Sequence, residues 1–293
     1  MKNPCLSLVY LTYRPGGIDL LVQGLRQQAS VYELIVVDDY PGRAERGQAA
    51  RYIEKRGIPL TYYGPSKPHS YPEHCNGLVN AMNSGVLKAK TSYVIYMHDY
   101  TWLPPGALLQ WLIWLRRYTP NTIVCGVGKV HFAKEPEYNG DVSIWRTGGD
   151  LCGKHIYQQM EDWIPDQAEN FYMGMPLELI HHINGFDERA DCGHISWSLI
   201  SMYYQAAVNQ IQCMVNPRLF MHMIDHKFWK DLNPELWKAE KKERPEPPEW
   251  LPVSPNPYLF KETHVATAGP VDYQLPLVRI SPHGLPMDFT KED

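Results

Sequence analysis

The chain predicts an α/β fold in which a mostly parallel sheet is flanked by helices. Through the first half, short apolar runs rich in β-branched and aromatic residues alternate with amphipathic segments, the pattern of βαβ units. Three of those runs end abruptly in polar clusters, Thr12-Tyr13-Arg14, Asp38-Asp39 and His98-Asp99-Tyr100. In an open α/β sheet the ends of the strands border the crevice where ligands bind, so these clusters are the first candidates for function.

The elements follow in order. Cys5 to Leu11 (CLSLVYL) reads as the first strand, and Gly16-Gly17 precedes a helix over Ile18 to Gln28. Leu34 to Val37 is the second strand, Ala44 to Arg56 a helix, and Leu60 to Tyr63 a short third strand. A helix over Asn76 to Lys88 leads to the fourth strand, Tyr93 to Met97, and Pro104-Pro105 forbids that run from continuing as a helix. Ala107 to Arg117 is a helix with an apolar face, and Thr122 to Val127 another strand. Right-handed crossovers in this order place the strand ends on one side of the sheet.

Beyond the fifth strand the periodicity weakens. His131 to Asn170 reads as a long irregular segment, of a length that is usually functional or disordered. Helices are expected again at Leu177 to Ile183 and Ser196 to Ala207, with a strand near Ile211 to Val215. Lys238 to Pro248 (KAEKKERPEPP) is charged and then Pro-rich. The expected organisation is a domain over 1–226, with halves at about 1–130 and 131–226, and an extended Pro-rich C-terminal tail over 227–293. Trp250, Tyr258, Phe260 and Tyr273 argue against complete disorder of that tail.

Composition removes several function classes. A formal net charge of -4 disfavours non-specific nucleic-acid binding, which needs a concentrated basic surface. The longest apolar segments, such as Ala107 to Leu115, are much shorter than the roughly 20 residues that span a bilayer, so no transmembrane segment is expected. Six cysteines are scattered without a CxxC pair, and no Asn-x-Ser/Thr sequon occurs. Met1 to Cys5 enters a strand-like run without the apolar core of a secretion signal, so a cytoplasmic location is expected.

Two further stretches carry the decisive likeness. Ala81-Met82-Asn83-Ser84-Gly85 precedes the fourth strand and its His98-Asp99-Tyr100, and Asn184-Gly185-Phe186-Asp187-Glu188 stands in the second half. Together with the strand-end clusters these resemble the GT-A (Rossmann-like) glycosyltransferases of family 2. There a Thr-rich turn closes the first strand, an Asp closing the second contacts the nucleotide base, and Ala-Arg-Asn-x-Gly leads to an Asp-x-Asp motif. The Asn-Gly-Phe-Asp-Glu run looks like the family's Gly-Gly-Phe-Asp-Glu turn. The resemblance implies transfer of a hexosyl or pentosyl group from a nucleotide-diphosphate sugar to a glycan or other hydroxyl acceptor, with inversion.

It also implies roles. Thr12, Tyr13, Arg14, Asp38, Asp39, Asn76, Asn83, His98, Asp99 and Tyr100 fall on the donor side. Mn2+ or Mg2+ would stabilise the departing diphosphate, held by Asp99 with help from His222 or His226. The last residue of the family motif usually binds metal, and here that place is Tyr100. The Glu-Asp pair that supplies the family's base is replaced by Ile195-Ser196, so Asp191 or His194, with Asp187 beside them, are the catalytic candidates. The competing class is a catalytically inactive sugar-nucleotide or glycan-binding module of the same fold, favoured by the single acid of the triplet. A Rossmann oxidoreductase fits less well, because Thr12-Tyr13-Arg14-Pro15-Gly16-Gly17 is not G-x-G-x-x-G. His222 and His226 have i,i+4 spacing without the HExxH glutamate, which excludes a metalloprotease.

Overall fold

The computed structural model describes residues 4–13, 17–40, 46–71, 77–99, 101–118, 120–131, 156–157, 172–192, 197–224, 248–249, 251, 253–256, 278–280 and 286–287. Strands β1 (Leu6–Thr12), β2 (Tyr32–Asp38), β3 (Leu60–Gly64) and β4 (Tyr93–His98) alternate with helices α1 (Ile18–Leu25), α2 (Arg46–Glu54) and α3 (Leu78–Val86). The short β5 (Thr101–Trp102), helix α4 (Ala107–Arg117), β6 (Thr122–His131) and β7 (Ile156–Tyr157) follow. Then come β8 (Met173–Pro176), α5 (Leu177–His182), a 3-10 helix over Glu188–Cys192, α6 (Trp197–Val208) and β9 (Gln212–Ile224). Two short strands, β10 (Val278–Ile280) and β11 (Pro286–Met287), extend the edge.

The described strands join one sheet in the order β11-β10-β9-β6-β8-β4-β1-β2-β3, with β5 paired to β9 and β7 to β6. Strands β3, β2, β1 and β4 are mutually parallel, as are β6, β9 and β10. β8 lies antiparallel between β4 and β6. Every residue of β1 and β2 is buried, as expected of central parallel strands covered on both faces. Leu8, Tyr10, Leu34 and Val36 point into a core closed by α1 and α4. The intervening Val9, Leu11, Ile35 and Val37 point into a second core with α3, α5 and Phe186.

Two helices start where the backbone turns left-handed at a glycine, Gly17 (φ 82°) before α1 and Gly106 (φ 75°) before α4. The expected strands and helices of the first half are present, with α1, α2 and α3 ending two or three residues before the expected limits, where the backbone passes into turns. Two departures have physical causes. The strand β8 was not expected, because four residues carrying Gly174 and Pro176 offer no alternation. Gly174 is needed there, since a Cβ at that position would lie 2.8 Å from the Trp111 ring. Strand β9 continues well past Val215, because its register with β6 jumps from Cys125↔Val215 to Val127↔Phe220. Pro217, which has no N–H to give a ladder, sits in that irregularity. Of the irregular segment 131–170 only His131 and the β7 pair are described, and most of the tail likewise lies outside the described residues.

Candidate functional site

The site is laid out by strand register. β1 pairs Thr12 with Asp38 on one side and Leu11 with His98 on the other, so three polar clusters end side by side at one edge of the sheet. Asp99 Oδ2 accepts hydrogen bonds from the Thr12 hydroxyl and the Tyr13 N–H, each at 3.3 Å. Asp38 Oδ1 accepts from the Tyr40 N–H at 3.2 Å, and Oδ2 from the Tyr63 hydroxyl at 2.7 Å. The Asp39 N–H donates to the Thr12 carbonyl at 2.8 Å, while its carboxylate accepts the Ser66 N–H at 2.8 Å and the Ser66 hydroxyl.

Asp38 and Asp99 are both fully buried. Removing a carboxylate from water costs several kcal/mol unless donors replace the hydration, and the neighbouring N–H and O–H groups supply that replacement. His98 Nδ1 lies 2.9 Å from the Asp99 carbonyl, which can only accept, so that nitrogen carries the proton. Tyr13, whose N–H reaches Asp99, is 39% exposed at this end of the sheet.

A second polar assembly lies under α3. Asn83 donates to the Phe186 carbonyl and to Glu188 Oε1, both at 2.9 Å, and accepts the Phe186 N–H at 2.9 Å. Its amide thus spans helix and turn, and the fully buried side chain has its amide donors and acceptor engaged there. Asn83 was expected among the donor-binding residues; the structure instead turns it inward, because α3 packs its Asn-x-Gly face on β1 and the turn. Glu188, also fully buried, receives the Lys67 ammonium at 2.6 Å and the Ser70 N–H at 3.3 Å. Burial pushes the Glu188 carboxyl up, but the bonds from Lys67, Ser70 and Asn83 outweigh it and hold it below its ordinary value.

The predicted catalytic carboxylates belong to this same assembly. Asp191 Oδ1 accepts the Val79 N–H at 3.0 Å and Oδ2 the Asn80 N–H at 2.9 Å, so it closes the first turn of α3. The Tyr71 N–H donates to His69 Nδ1 at 2.9 Å, which leaves the proton on Nε2 facing Asp191 Oδ2 at 3.1 Å. Burial raises the Asp191 carboxyl above its ordinary range, against the pull of His69 and the two N–H groups. Asp187 grips Arg189 through both oxygens, at 2.6 Å from Nη2 and 3.0 Å from Nε. Both carboxylates are fully buried, as are Asp38 and Asp99, but Asp187 is bound to an arginine and Asp191 to the first turn of α3.

Thr12, Tyr13, Asp38, Asp39, His98 and Asp99 are therefore brought together, whereas Asn83, Asp187 and Asp191 are bonded within α3 and the turn 186–191. His222 stands opposite Trp102 in the β5–β9 ladder, its ring stacked on that indole at 4.9 Å, three residues beyond Asp99 along the chain. Arg14, Asn76, Tyr100, His194 and His226 lie outside the described residues. Among the described residues no group of three His, Cys, Asp or Glu side chains converges to hold a metal ion. Sequence reading missed Tyr63, Ser66, Lys67 and His69, and named Glu188 only as a motif position. The first four sit where the chain leaves β3, and the rule that loops after parallel strands gather at one sheet end was the available signal.

A parallel sheet with buried acids at adjoining strand ends, interrupted by one antiparallel strand, defines the GT-A type of nucleotide-binding α/β fold. A glycosyl transferase family 2 model matches residues 15–172, more than half of the chain, and the chain belongs to that family. No curated protein sequence matches it. GalNAc-T7, solved with UDP, GalNAc and Mn2+, superimposes with a TM-score of 0.53 at 12% identity over 76% of this chain and 44% of that one. S. aureus TarS 1–349 gives 0.50 at 11% identity over 79% and 64%. The mannosyltransferase PcManGT of Pyrobaculum calidifontis, solved with GDP-Man and Mn2+, gives 0.48 at 14% identity over 84% and 67%. At these identities the likeness is one of fold. The chain spans 38% of the length of full TarS. Among the described residues no helix is long and apolar enough to cross a membrane.

Proposed function

We propose that the protein transfers a hexosyl or pentosyl group from a nucleotide-diphosphate sugar to an acceptor hydroxyl, with inversion. The observation that carries this reading is the row formed by Thr12, Asp38 and Asp99 across three adjoining parallel strands, together with the family membership. The donor lies across the strand ends. Asp38 and Asp39, tethered to Tyr63 and Ser66, face the base and ribose, with the Tyr13 ring beside them. Asp99, braced by Thr12 and Tyr13, is directed at the diphosphate.

A hard divalent cation, Mn2+ or Mg2+, fits this chemistry. Its ligands are oxygens, and one or two carboxylates with the donor's phosphates and water complete its shell, so a converging trio of protein ligands is not required. Asp99 would hold it, with His222 on β9 as the second ligand that the family resemblance implies, and it would neutralise charge developing on the leaving diphosphate. In the transfer itself the acceptor oxygen loses its proton to a base and bonds to the anomeric carbon. The bond from that carbon to the diphosphate oxygen breaks, and nucleoside diphosphate departs. Asp187 and Asp191 are spent on Arg189 and on α3, which supports His194 as the base among the sequence candidates.

The test is nucleoside-diphosphate release from a panel of nucleotide sugars with Mn2+ present. Asp99→Ala is expected to lower kcat/KM by roughly 10² to 10³, about 3–4 kcal/mol of transition-state stabilisation. An unchanged rate overturns the Asp99 assignment, and donor binding without any release leaves the binding-module reading standing.

A further inference from the structure

The sequence treats residues beyond 226 as a tail, yet one short piece of it is built into the molecule. Ser254 is 2% exposed and Asn256 4%, burial that a trailing polar segment does not reach without partners. Apart from Gln205 on α6, the partners named here lie around one turn. The Ser254 N–H donates to the Ile183 carbonyl at 2.9 Å and its hydroxyl to the Gly185 carbonyl at 2.6 Å, while Gln205 on α6 donates to that hydroxyl at 2.7 Å. Asn256 donates to the Asn184 and Phe186 carbonyls at 3.0 and 2.6 Å and accepts the Glu188 N–H at 3.0 Å. In return the Asn184 amide donates to the carbonyls of Ser254 and Asn256 at 2.7 and 3.1 Å.

The turn needs such support. Asn184 and Gly185 are both left-handed, φ 57° and 73°, a conformation that costs free energy for a residue with a Cβ. The carbonyls of residues 183–186 point away from any strand ladder, and a buried carbonyl without a donor costs about 1–3 kcal/mol. Ser254 and Asn256 supply those donors. Glu249 adds charge attraction to Arg189, the partner of Asp187. The turn then leads directly into Glu188 and the 3-10 helix that carries Asp191, and so into the first turn of α3.

We infer that residues 254–256 form a strap that positions the turn 184–192, and with it the acceptor side of the site, so that Ser254 and Asn256 are positioning residues. The assignment to the acceptor side rests on the proposed transferase reading; the mechanical role of the strap does not. Asn83 on α3 and Asn256 both donate to the Phe186 carbonyl, so the Asn-Gly-Phe-Asp-Glu run is held by α3 and by the C-terminal segment together. The hydrogen bonds of Ser254 and Asn256 run to residues 183–188 and to Gln205, so their loss loosens one side of the site and leaves the nucleotide side intact.

The experiment compares the full chain with Ser254→Ala and Asn256→Ala by amide hydrogen exchange. Peptides covering 183–192 are expected to exchange about tenfold faster or more in both variants, with β1 and β2 unchanged. Unaltered exchange over 183–192, or an equal rise throughout the sheet, overturns the strap. If Asn256→Ala does not fold, Ser254→Ala decides, since it deletes one hydroxyl and leaves Asn256 in place. With a nucleotide-sugar substrate in hand, transfer to the acceptor should fall about tenfold while donor KM and slow donor hydrolysis hold. Donor hydrolysis falling in parallel with transfer would assign the strap to general stability. A wild-type chain that releases no nucleotide from any donor defeats the transferase reading alone, because the exchange result stands apart from it.

Discussion

Glu188 shows how a single residue can be misjudged from sequence. As the last letter of Asn-Gly-Phe-Asp-Glu it is a motif position, whereas in the molecule it is a buried anion joining Lys67, Ser70 and Asn83. Its folded-state pKa is depressed below the ordinary 4.5, so the unfolded chain binds its proton more readily. The stability it contributes is therefore complete above the unfolded value and is lost as pH falls from about 4.5 toward the lower folded value. Glu188→Gln should lower Tm at neutral pH, and the gap from wild type should narrow steadily below that pH in thermal melts. A gap that stays constant into acid would mean that charge contributes nothing. The residue's partners could not be read in advance, because Lys67 lies 121 positions away and no periodic pattern marks the loop that carries it.

At the level of elements the agreement is closer, and the reasons are local. Strands β1, β2 and β4 are continuous apolar runs that nothing but a buried strand explains, and Pro104 limits what can follow β4. β8 and the second half of β9 were illegible because their pairing is set by distant strands, and because Gly174, Pro176 and Pro217 dilute the pattern. Gly85 illustrates a motif glycine whose role is packing. A Cβ there would lie 2.3 Å from Val9 Cγ1, so α3 can rest on β1 at this distance only with a hydrogen in that place. Alanine improves helix propensity by up to about 1 kcal/mol, but overpacking against a β-branched neighbour costs roughly 1–3 kcal/mol and a contact this short lies at the upper end. Gly85→Ala is expected to destabilise by about 2 kcal/mol in denaturant melts, and Val9→Ala in the same chain should recover part of that loss. Additive losses in the double variant would place the strain elsewhere.

For the whole molecule the prediction concerns donor and metal together. A ligand that binds the folded state alone raises stability by RT ln(1 + [L]/Kd), about 2.7 kcal/mol at 100 Kd. One nucleotide sugar from a panel should raise Tm accordingly, more with Mn2+ than without, and in Asp99→Asn the Mn2+ increment should vanish while the remaining shift persists. An increment that survives in Asp99→Asn would move the cation away from this carboxylate.

The clasp between Asn184 and Asn256 also fixes the order in which the protein can be made. Strands β1 to β4 pair within the first hundred residues, and as they emerge during synthesis they can settle before the rest is translated. The turn at Asn184 must wait for a partner synthesised 72 residues later. Until residues 254–256 have been made, the turn lacks the donors that satisfy its carbonyls, so the first strands can pair while this later junction is still open.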